Sequence, residues 1–433
     1  NNYIGFVVKG LGKNPFAVGT KIQAFTKEGI ITKEVVPSRG FQSSVDYKQI
    51  IGIGKNTIVD SVKVIYPNRG TETLKALSIN TVHVLQQKEG LPLFTTTIIG
   101  TKPFLKEIPT SFAKHEEDDV IDFYNERSIP EMLSKEGPRA VVGDMNNDGF
   151  DDVFIGGTPG HPGQVYIGNA NGTFTFKPQP GFQQFLSFED VAVVLSDVDN
   201  DHDLDLIIGP GGNSHDVNAR ELQLRLFKND GKGNFTIDAL AFPNTSMNIG
   251  TIVSFDFNKD GNLDLFVGSR SYPQVYGMNP TSFLFQNDGY GHFKDVTKEI
   301  APSLEQIGLV TSAIVAPILG NNNEQLVIVG EWMAPHIFDI QNGRLKEVVS
   351  NLNELHGWWQ SLQYADVDGD HKLDLIIGNV GDNFYLQPTK EAPAKLFVND
   401  FDKNGIKDKV ITYTVDGKDK PVVVKRDLEE QIP

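Results

Sequence analysis

Asp366-Val367-Asp368-Gly369-Asp370-His371-Lys372-Leu373-Asp374 sets carboxylates at positions 1, 3, 5 and 9 of nine residues and runs straight into the apolar segment Leu375-Ile376-Ile377-Gly378. The pattern recurs. Residues 144–152 read DMNNDGFDD before VFIGG, 197–205 read DVDNDHDLD before LIIG, 256–264 read DFNKDGNLD before LFVG, and 400–408 read DFDKNGIKD before KVITY. Three of the five copies carry Gly at position 6, where a tight turn needs a backbone free to reach positive φ. His202 at that position makes the second copy the least regular.

Alternate side chains plus one main-chain carbonyl are what a hard divalent cation such as calcium takes, in a shell of about six to eight oxygens. The ligand sets predicted on this pattern are Asp144, Asn146, Asp148, Phe150 and Asp152; Asp197, Asp199, Asp201, Asp203 and Asp205; and Asp256, Asn258, Asp260, Asn262 and Asp264. The last two are Asp366, Asp368, Asp370, Lys372 and Asp374, then Asp400, Asp402, Asn404, Ile406 and Asp408, with position 7 offering its carbonyl. An Asp/Asn/Gly cluster can also be a plain polar turn. Five copies in one register favour the ion, because packed carboxylates repel unless a cation lies among them. The loop is shorter than an EF-hand, lacks Glu at position 12 and leads into a β-branched run, so the ions are expected between strands.

The net charge of −17 argues against nucleic acid as partner. It has a local source, since 19 of the 56 acidic residues lie in the five loops, and five Ca²⁺ would bring −17 to −7. With no Cys there are no disulfides or thiolate sites. No apolar run approaches the roughly 18 residues of a membrane span, and the opening NNYIGFVVKG lacks a basic-then-apolar leader, so the chain reads as an excised or mature piece. Loops of this kind fill where calcium is plentiful, which points to a secreted, periplasmic or outer-surface protein.

The first positions Asp144, Asp197, Asp256 and Asp366 lie 53, 59 and 110 residues apart. The last interval hides a worn unit, in which residues 313–316 and Leu326-Val327-Ile328-Val329-Gly330 keep both strands while 317–325 has lost the acids; it is expected to bind no calcium. Each unit reads as strand, acidic loop, strand, variable loop, strand, turn, strand. The second turn is an Asn-Asp-Gly hairpin at Asn229-Asp230-Gly231 and Asn287-Asp288-Gly289. In the fifth unit Asn399-Asp400 starts the same way, so the fifth acidic loop is expected to replace that turn. Four strands repeating at about 50 residues mark an all-β fold, a β-propeller of at least five four-stranded blades and up to six or seven, over residues 140–433. Residues 1–88 carry short alternating strands between Gly and Pro turns and read as a small β-sandwich-like domain. Residues 89–139 read as a connector packing on or completing the propeller, its run His115-Glu116-Glu117-Asp118-Asp119 a solvated face.

Two resemblances follow. Asn14 with Ala17, Val18 and Gly19, then Gly40 to Gln42, Ile51-Gly52-Ile53-Gly54 and Val62 to Pro67 with the turn Asn68-Arg69-Gly70, resemble the ASPIC/UnbV domain, with Tyr66 where that family usually has Trp. The loop, strand and hairpin motifs together resemble FG-GAP/VCBS propellers, the class that includes the integrin α-chain head. Gly330-Glu331-Trp332-Met333, Gly357-Trp358-Trp359 and Gly378-Asn379-Val380-Gly381 are similar to segments of its bacterial branch, which, like cartilage acidic protein, joins such propellers to an ASPIC/UnbV domain. Members are mostly exported, calcium-binding and without assigned chemistry, and that is what the resemblance implies here.

If the acidic loops share one end of the sheets, the long, unlike loops lie at the other, where recognition is expected. Arg270, Tyr272, Glu331, Trp332, Trp358 and Trp359 are the candidate contacts for a glycan or protein ligand, although large aromatics also pack between blades. Zinc-helix, nucleophile-elbow and phosphate-loop motifs are absent from the sequence. The enzymatic alternative is a polysaccharide-processing acid pair, Glu331 with Asp382.

Overall fold

The computed structural model describes residues 1–38, 40–95, 104, 105, 107, 110–321 and 323–432; within the predicted connector, 96–103, 106, 108 and 109 lie outside the described residues. The chain divides into two compact units, residues 1–107 and 108–433. The stretch just past residue 88 stays with the first: Gly70 bridges to Leu93, and the Thr71 amide donates to the Pro92 carbonyl at 2.8 Å.

The first unit has seven strands, β1 (Asn2–Lys9), β2 (Lys21–Thr26), β3 (Gly29–Glu34), β4 (Gln49–Gly54), β5 (Ser61–Ile65), β6 (Thr71–Leu74) and β7 (Val82–Gln86). They form two sheets, β4-β1-β7 and β3-β2-β5-β6. Ile4, Phe6, Ile51 and Ile53 from one meet Ile22, Ala24, Val62 and Val64 from the other in a single core. Strict alternation in β4, buried at Gln49, Ile51 and Ile53 and exposed between, follows from the two-residue period of a strand with one wet face. Tyr66 is buried in this core and its hydroxyl donates to Glu72 at 2.6 Å, which gives the phenol the partner that a buried polar tip needs.

The second unit is a succession of antiparallel sheets. Ala140–Gly143, Asp152–Ile155, Gln164–Gly168 and Phe174–Lys177 (β8 to β11) make the first blade; Asp190–Ser196, Asp205–Pro210, Arg225–Asn229 and Phe235–Asp238 (β12 to β15) the second. Asn248–Phe255, Asp264–Ser271, Phe283–Asn287 and Phe293–Asp295 (β16 to β19) make the third, and Leu309–Ala316, Gln325–Met333, His336–Gln341 and Arg344–Glu347 (β20 to β23) the fourth. The first strands β8, β12, β16, β20 and β24 (Gly357–Ala365) stand beside one another in succession, the inner strands of a β-propeller.

Packing explains why the second strand of each blade is a continuous apolar run: both of its faces are covered. Leu206 and Ile208 point into a core shared with Phe154 and Val165 of the first blade, while Ile207 points into one shared with Leu265 and Phe285 of the third. Phe266 then meets Leu326 and Ile328, and Val327 with Val329 meets Leu362. The two-residue period assigns each side chain to one neighbouring blade or the other.

The fifth unit departs from the expected four-stranded blade. β24 pairs with β25 (Asp374–Asn379) and joins the fourth blade through Glu331↔Trp358, whereas β26 (Ala394–Asn399), β27 (Asp408–Val415) and β28 (Lys418–Pro421) form a separate sheet; among the described residues β25 and β26 do not pair. Leu396 and Val398 of β26 are drawn instead against Gly277, so closely that a Cβ there would lie 2.4 Å from Leu396 Cδ2. The connection between β25 and β26 also carries Pro388 and Pro393, which cannot donate to a ladder.

Candidate functional site

All five acidic loops close in one way. Position 9 opens the outgoing strand and pairs with the residue before position 1: Gly143↔Asp152, Ser196↔Asp205, Phe255↔Asp264, Ala365↔Asp374 and Asn399↔Asp408. The position 9 carboxylate accepts the amide of position 2, as from Met145 to Asp152 at 2.9 Å and Phe401 to Asp408 at 3.0 Å. The position 1 carboxylate accepts the amide of position 6, at 2.8 Å from Gly149 to Asp144 and 2.9 Å from Gly261 to Asp256. His202, His371 and Gly405 repeat that bond to Asp197, Asp366 and Asp400. Position 6 is left-handed in every copy, and so is position 4, at Asn147, Asn200, Lys259, Gly369 and Lys403. At this second left-handed position Gly369, Asn147 and Asn200 tolerate the backbone readily, whereas Lys259 and Lys403 give no sign of it in the sequence.

This winding turns side chains 1, 3 and 9 toward one point. In three loops, Asp197 with Asp199 and Asp205, Asp366 with Asp368 and Asp374, and Asp400 with Asp402 and Asp408, one oxygen from each acid lies within 4.8 Å of the others, a grouping that could hold a metal ion. In the other two loops position 3 is Asn146 or Asn258, whose amide donates to Asp148 at 2.9 Å or Asp260 at 2.8 Å. The residues fit a hard cation on a further count. Asp197 Oδ1 and Asp199 Oδ1 are buried with no hydrogen-bond partner, a costly state for a carboxylate oxygen that an ion would relieve. One charge in this loop is met by the protein, since Lys228 Nζ stands 3.1 Å from Asp199 Oδ2. Burial, added to by the neighbouring acids, pushes the carboxyls of Asp205 and Asp264 up to about 7 despite amide bonds that pull the other way.

In the worn fourth loop an amide stands in place of the position 9 carboxylate. Gln325 takes the place of position 9, paired with Ala316, and its Oε1 accepts the Leu319 amide at 3.1 Å. Its amide donates to Asn321 Oδ1, the Asn323 carbonyl and Asp339 Oδ1 at 2.8–2.9 Å, so the loop oxygens are met by the protein's own N–H groups.

The acidic loops are also tied to one another. Asn287, the first residue of its hairpin motif, donates to the Leu263 carbonyl of its own loop at 3.0 Å and to the Val198 carbonyl of the preceding blade's loop at 2.8 Å. Asn229 does the same to Leu204 and Met145. Asn147 reaches Asp203 at 2.6 Å and Asn200 reaches Asn262 at 2.9 Å. Replacing Asn287 by Ala leaves two buried carbonyls unpaired, and the expected cost is about 1–3 kcal/mol. Thermal unfolding checks it, with Asn287→Asp, which keeps the acceptor and loses the donor, expected to be no better.

At the far ends of the outgoing strands the predicted ligand contacts divide. Arg270 and Glu331 are buried and paired, at 2.9 and 3.0 Å in bidentate geometry, instead of standing on an open surface. Glu136, at 2.9 Å, and Glu131 also reach Arg270, Tyr276 donates its hydroxyl to Glu331, and Gln360 donates to Glu331 at 2.6 Å. Residues 126–136 thus cover the middle of the end opposite the first four acidic loops, with Glu126 held by Asn213, the Tyr276 amide and, next to the fifth acidic loop, Lys409. Arg270 and these hydrogen bonds hold Glu331 ionised despite burial, which unfits it to donate a proton in an acid pair with Asp382. Beneath lies a polar cavity of about 20 Å³ lined by Glu136, Arg139, Arg270, Thr311 and Gln360 among others. Tyr272 packs partly buried on the core between the second and third blades, and Trp359 on that between the fourth and fifth. Trp332, with φ of 57°, donates its indole N–H to Tyr276 at 2.9 Å. It packs edge-on against Trp358, which continues through Phe384 to Tyr385, 70% exposed. Phe384 and Tyr385 extend the aromatic row beyond the predicted set.

Sheets in succession, each of the first three closed by an acidic hairpin, define a propeller-type repeat protein. Residues 10–92 match the ASPIC and UnbV family and residues 144–208 the FG-GAP-like repeat family. The chain is an FG-GAP repeat protein with an ASPIC/UnbV domain. No curated protein matches it. Among solved structures, one described as showing specific recognition of non-reducing terminal N-acetylglucosamine by an Agrocybe aegerita lectin is 15% identical over 98% of this chain and 93% of that chain, with a TM-score of 0.36. BBS1N in complex with ARL6DN, soaked with mercury, is 12% identical over 63% and 75%, with a TM-score of 0.34. Among the described residues no helix is long and apolar enough to cross a membrane.

Proposed function

We propose that this chain is an exported, calcium-binding, non-catalytic scaffold whose propeller presents a recognition face to a glycan or protein ligand. The observation that carries the calcium reading is the common closure of five loops, three of them around converging carboxylates, with two oxygens in the second loop left without partners. Asp197, Asp199 and Asp205 and their counterparts at positions 1, 3 and 9 would hold the ion, and the ion would neutralise them and lock each hairpin. About five such ions are structural, and their weak intrinsic affinity places the protein where calcium is abundant: secreted, periplasmic or on the outer surface.

For recognition, the row Trp332, Trp358, Phe384 and Tyr385 supports the reading, since an aromatic row offers stacking faces at low entropic cost. Tyr272, on the core between the second and third blades, is a further candidate contact, while Arg270 and Glu331 are buried and brace the fold. A glycan and peptide array probed in calcium tests this: Trp358→Ala and Tyr385→Ala should each cut retention of a hit at least tenfold, and chelator should abolish it. Retention unaffected by both variants would remove the aromatic row from the binding face.

A further inference from the structure

We propose a cation site separate from the acidic hairpins, formed by Glu189 and Glu117 at the opposite end of the blades. It stands independently of calcium binding by the hairpins. Glu189 immediately precedes β12 and is 1% exposed, yet neither of its carboxylate oxygens has a hydrogen-bond partner. The Gly137 amide acts on the carboxylate, and the backbone passes so tightly that a Cβ on Gly137 would sit 2.5 Å from Glu189 Oε1. Glu117 Oε2 is likewise buried and unpartnered, its other oxygen being held by His115. Glu117 is the charge acting most strongly on Glu189, followed by Asp190 and Asp118.

The neighbouring arginine and lysine side chains are engaged elsewhere. Arg225 pairs with Asp190 at 2.6 Å, Lys135 donates to the Asp118 carbonyl at 2.8 Å, and Arg139 turns to the Val191 carbonyl at 3.3 Å. Asp118 Oδ1 accepts the Val120 amide. Glu189, enclosed beside a second carboxylate and without a counter-charge of its own, costs several kcal/mol, so either a proton or a cation completes the site. The donors are oxygens on two separate segments, the chemistry of a hard divalent ion such as Ca²⁺ and not of a soft metal. An ion there pins residues 115–118 to the second blade, beside the bond from Thr158 Oγ1 to the Glu116 carbonyl at 2.7 Å.

Calorimetric titration of the full chain with Ca²⁺, with bound metal counted after gel filtration, tests the site. Glu189→Gln is expected to bind one ion fewer than the wild type, and Asp205→Asn, in a hairpin, to leave that loss intact when the two are combined. Glu117→Gln, at a partly exposed position, gives the same reading should Glu189→Gln fail to fold. Wild-type stoichiometry in both Glu variants overturns the proposal and assigns a proton to the pair. A missing ion in Glu189→Gln supports it even if the hairpins bind none.

Discussion

Removing calcium from the folded chain with excess chelator is expected to bring the second unit close to spontaneous unfolding, and restoring calcium to recover it. Weak extracellular-type sites have dissociation constants of about 10⁻⁴ to 10⁻³ M. At 10 mM Ca²⁺ each site, filled only in the folded state, then contributes about 1.4–2.7 kcal/mol. Five such sites in one cooperative unit sum to about 7–13 kcal/mol, as large as the whole stability of an ordinary domain, about 5–15 kcal/mol. The loss is compounded because the loops hold one another: the carbonyls that Asn229 and Asn287 bridge belong to loops of neighbouring blades, so one emptied loop loosens the next. The melting temperature of residues 108–433 should therefore fall by tens of degrees in chelator and return with Ca²⁺, while the first unit, whose sheets share their own core, should melt unchanged. A melting curve that is indifferent to calcium would remove the structural ion from every loop at once.

How far the sequence carries depends on whether local pattern or distant contact sets each feature. The spacing of positions 1 and 9 is local, and the pairing of Ser196 with Asp205 and Phe255 with Asp264 follows directly from it. The apolar runs were legible for a similar reason: Leu206, Ile207 and Ile208 are buried on both faces, and such strands carry no polar alternation. Left-handed Lys259 and Lys403 were hidden because a lysine gives no sign of that backbone. The split of the fifth unit was hidden because it depends on Gly277, more than a hundred residues away, admitting Leu396. The fate of Arg270 is the clearest case. A charged residue in a variable loop reads as a surface contact, whereas its burial is compensated by Glu331 together with Glu131 and Glu136, which arrive from the predicted connector.

Replacing Arg270 by Met should be the most damaging single substitution in the second unit. The guanidinium is 3% exposed and meets three carboxylates, Glu331, Glu136 and Glu131, of which Glu331 is itself 2% exposed. Removing one member of a buried pair costs about 3–5 kcal/mol, because the partner charge is left without compensation, and here that charge is Glu331, with Glu136 and Glu131 beside it. Glu331→Gln should cost less, since Arg270 keeps Glu136 and Glu131 and the amide can still meet Tyr276. The pair of variants thus separates loss of charge from loss of packing, and denaturant midpoints with unchanged slopes would measure it. Glu131 adds a pH signature. Its carboxyl is pushed up to about 8, by burial first and then by the charge of Glu331. A carboxyl raised above its unfolded value of about 4.3 favours the folded state fully below that value and loses the benefit as pH rises through 8. The wild type should therefore lose stability between about pH 4.3 and 8 through this group, by an amount trimmed by solvent because the side chain is 46% exposed. Glu131→Gln should flatten that slope and match or exceed the wild-type melting temperature at pH 8.5; a slope that survives the substitution would place the titration elsewhere.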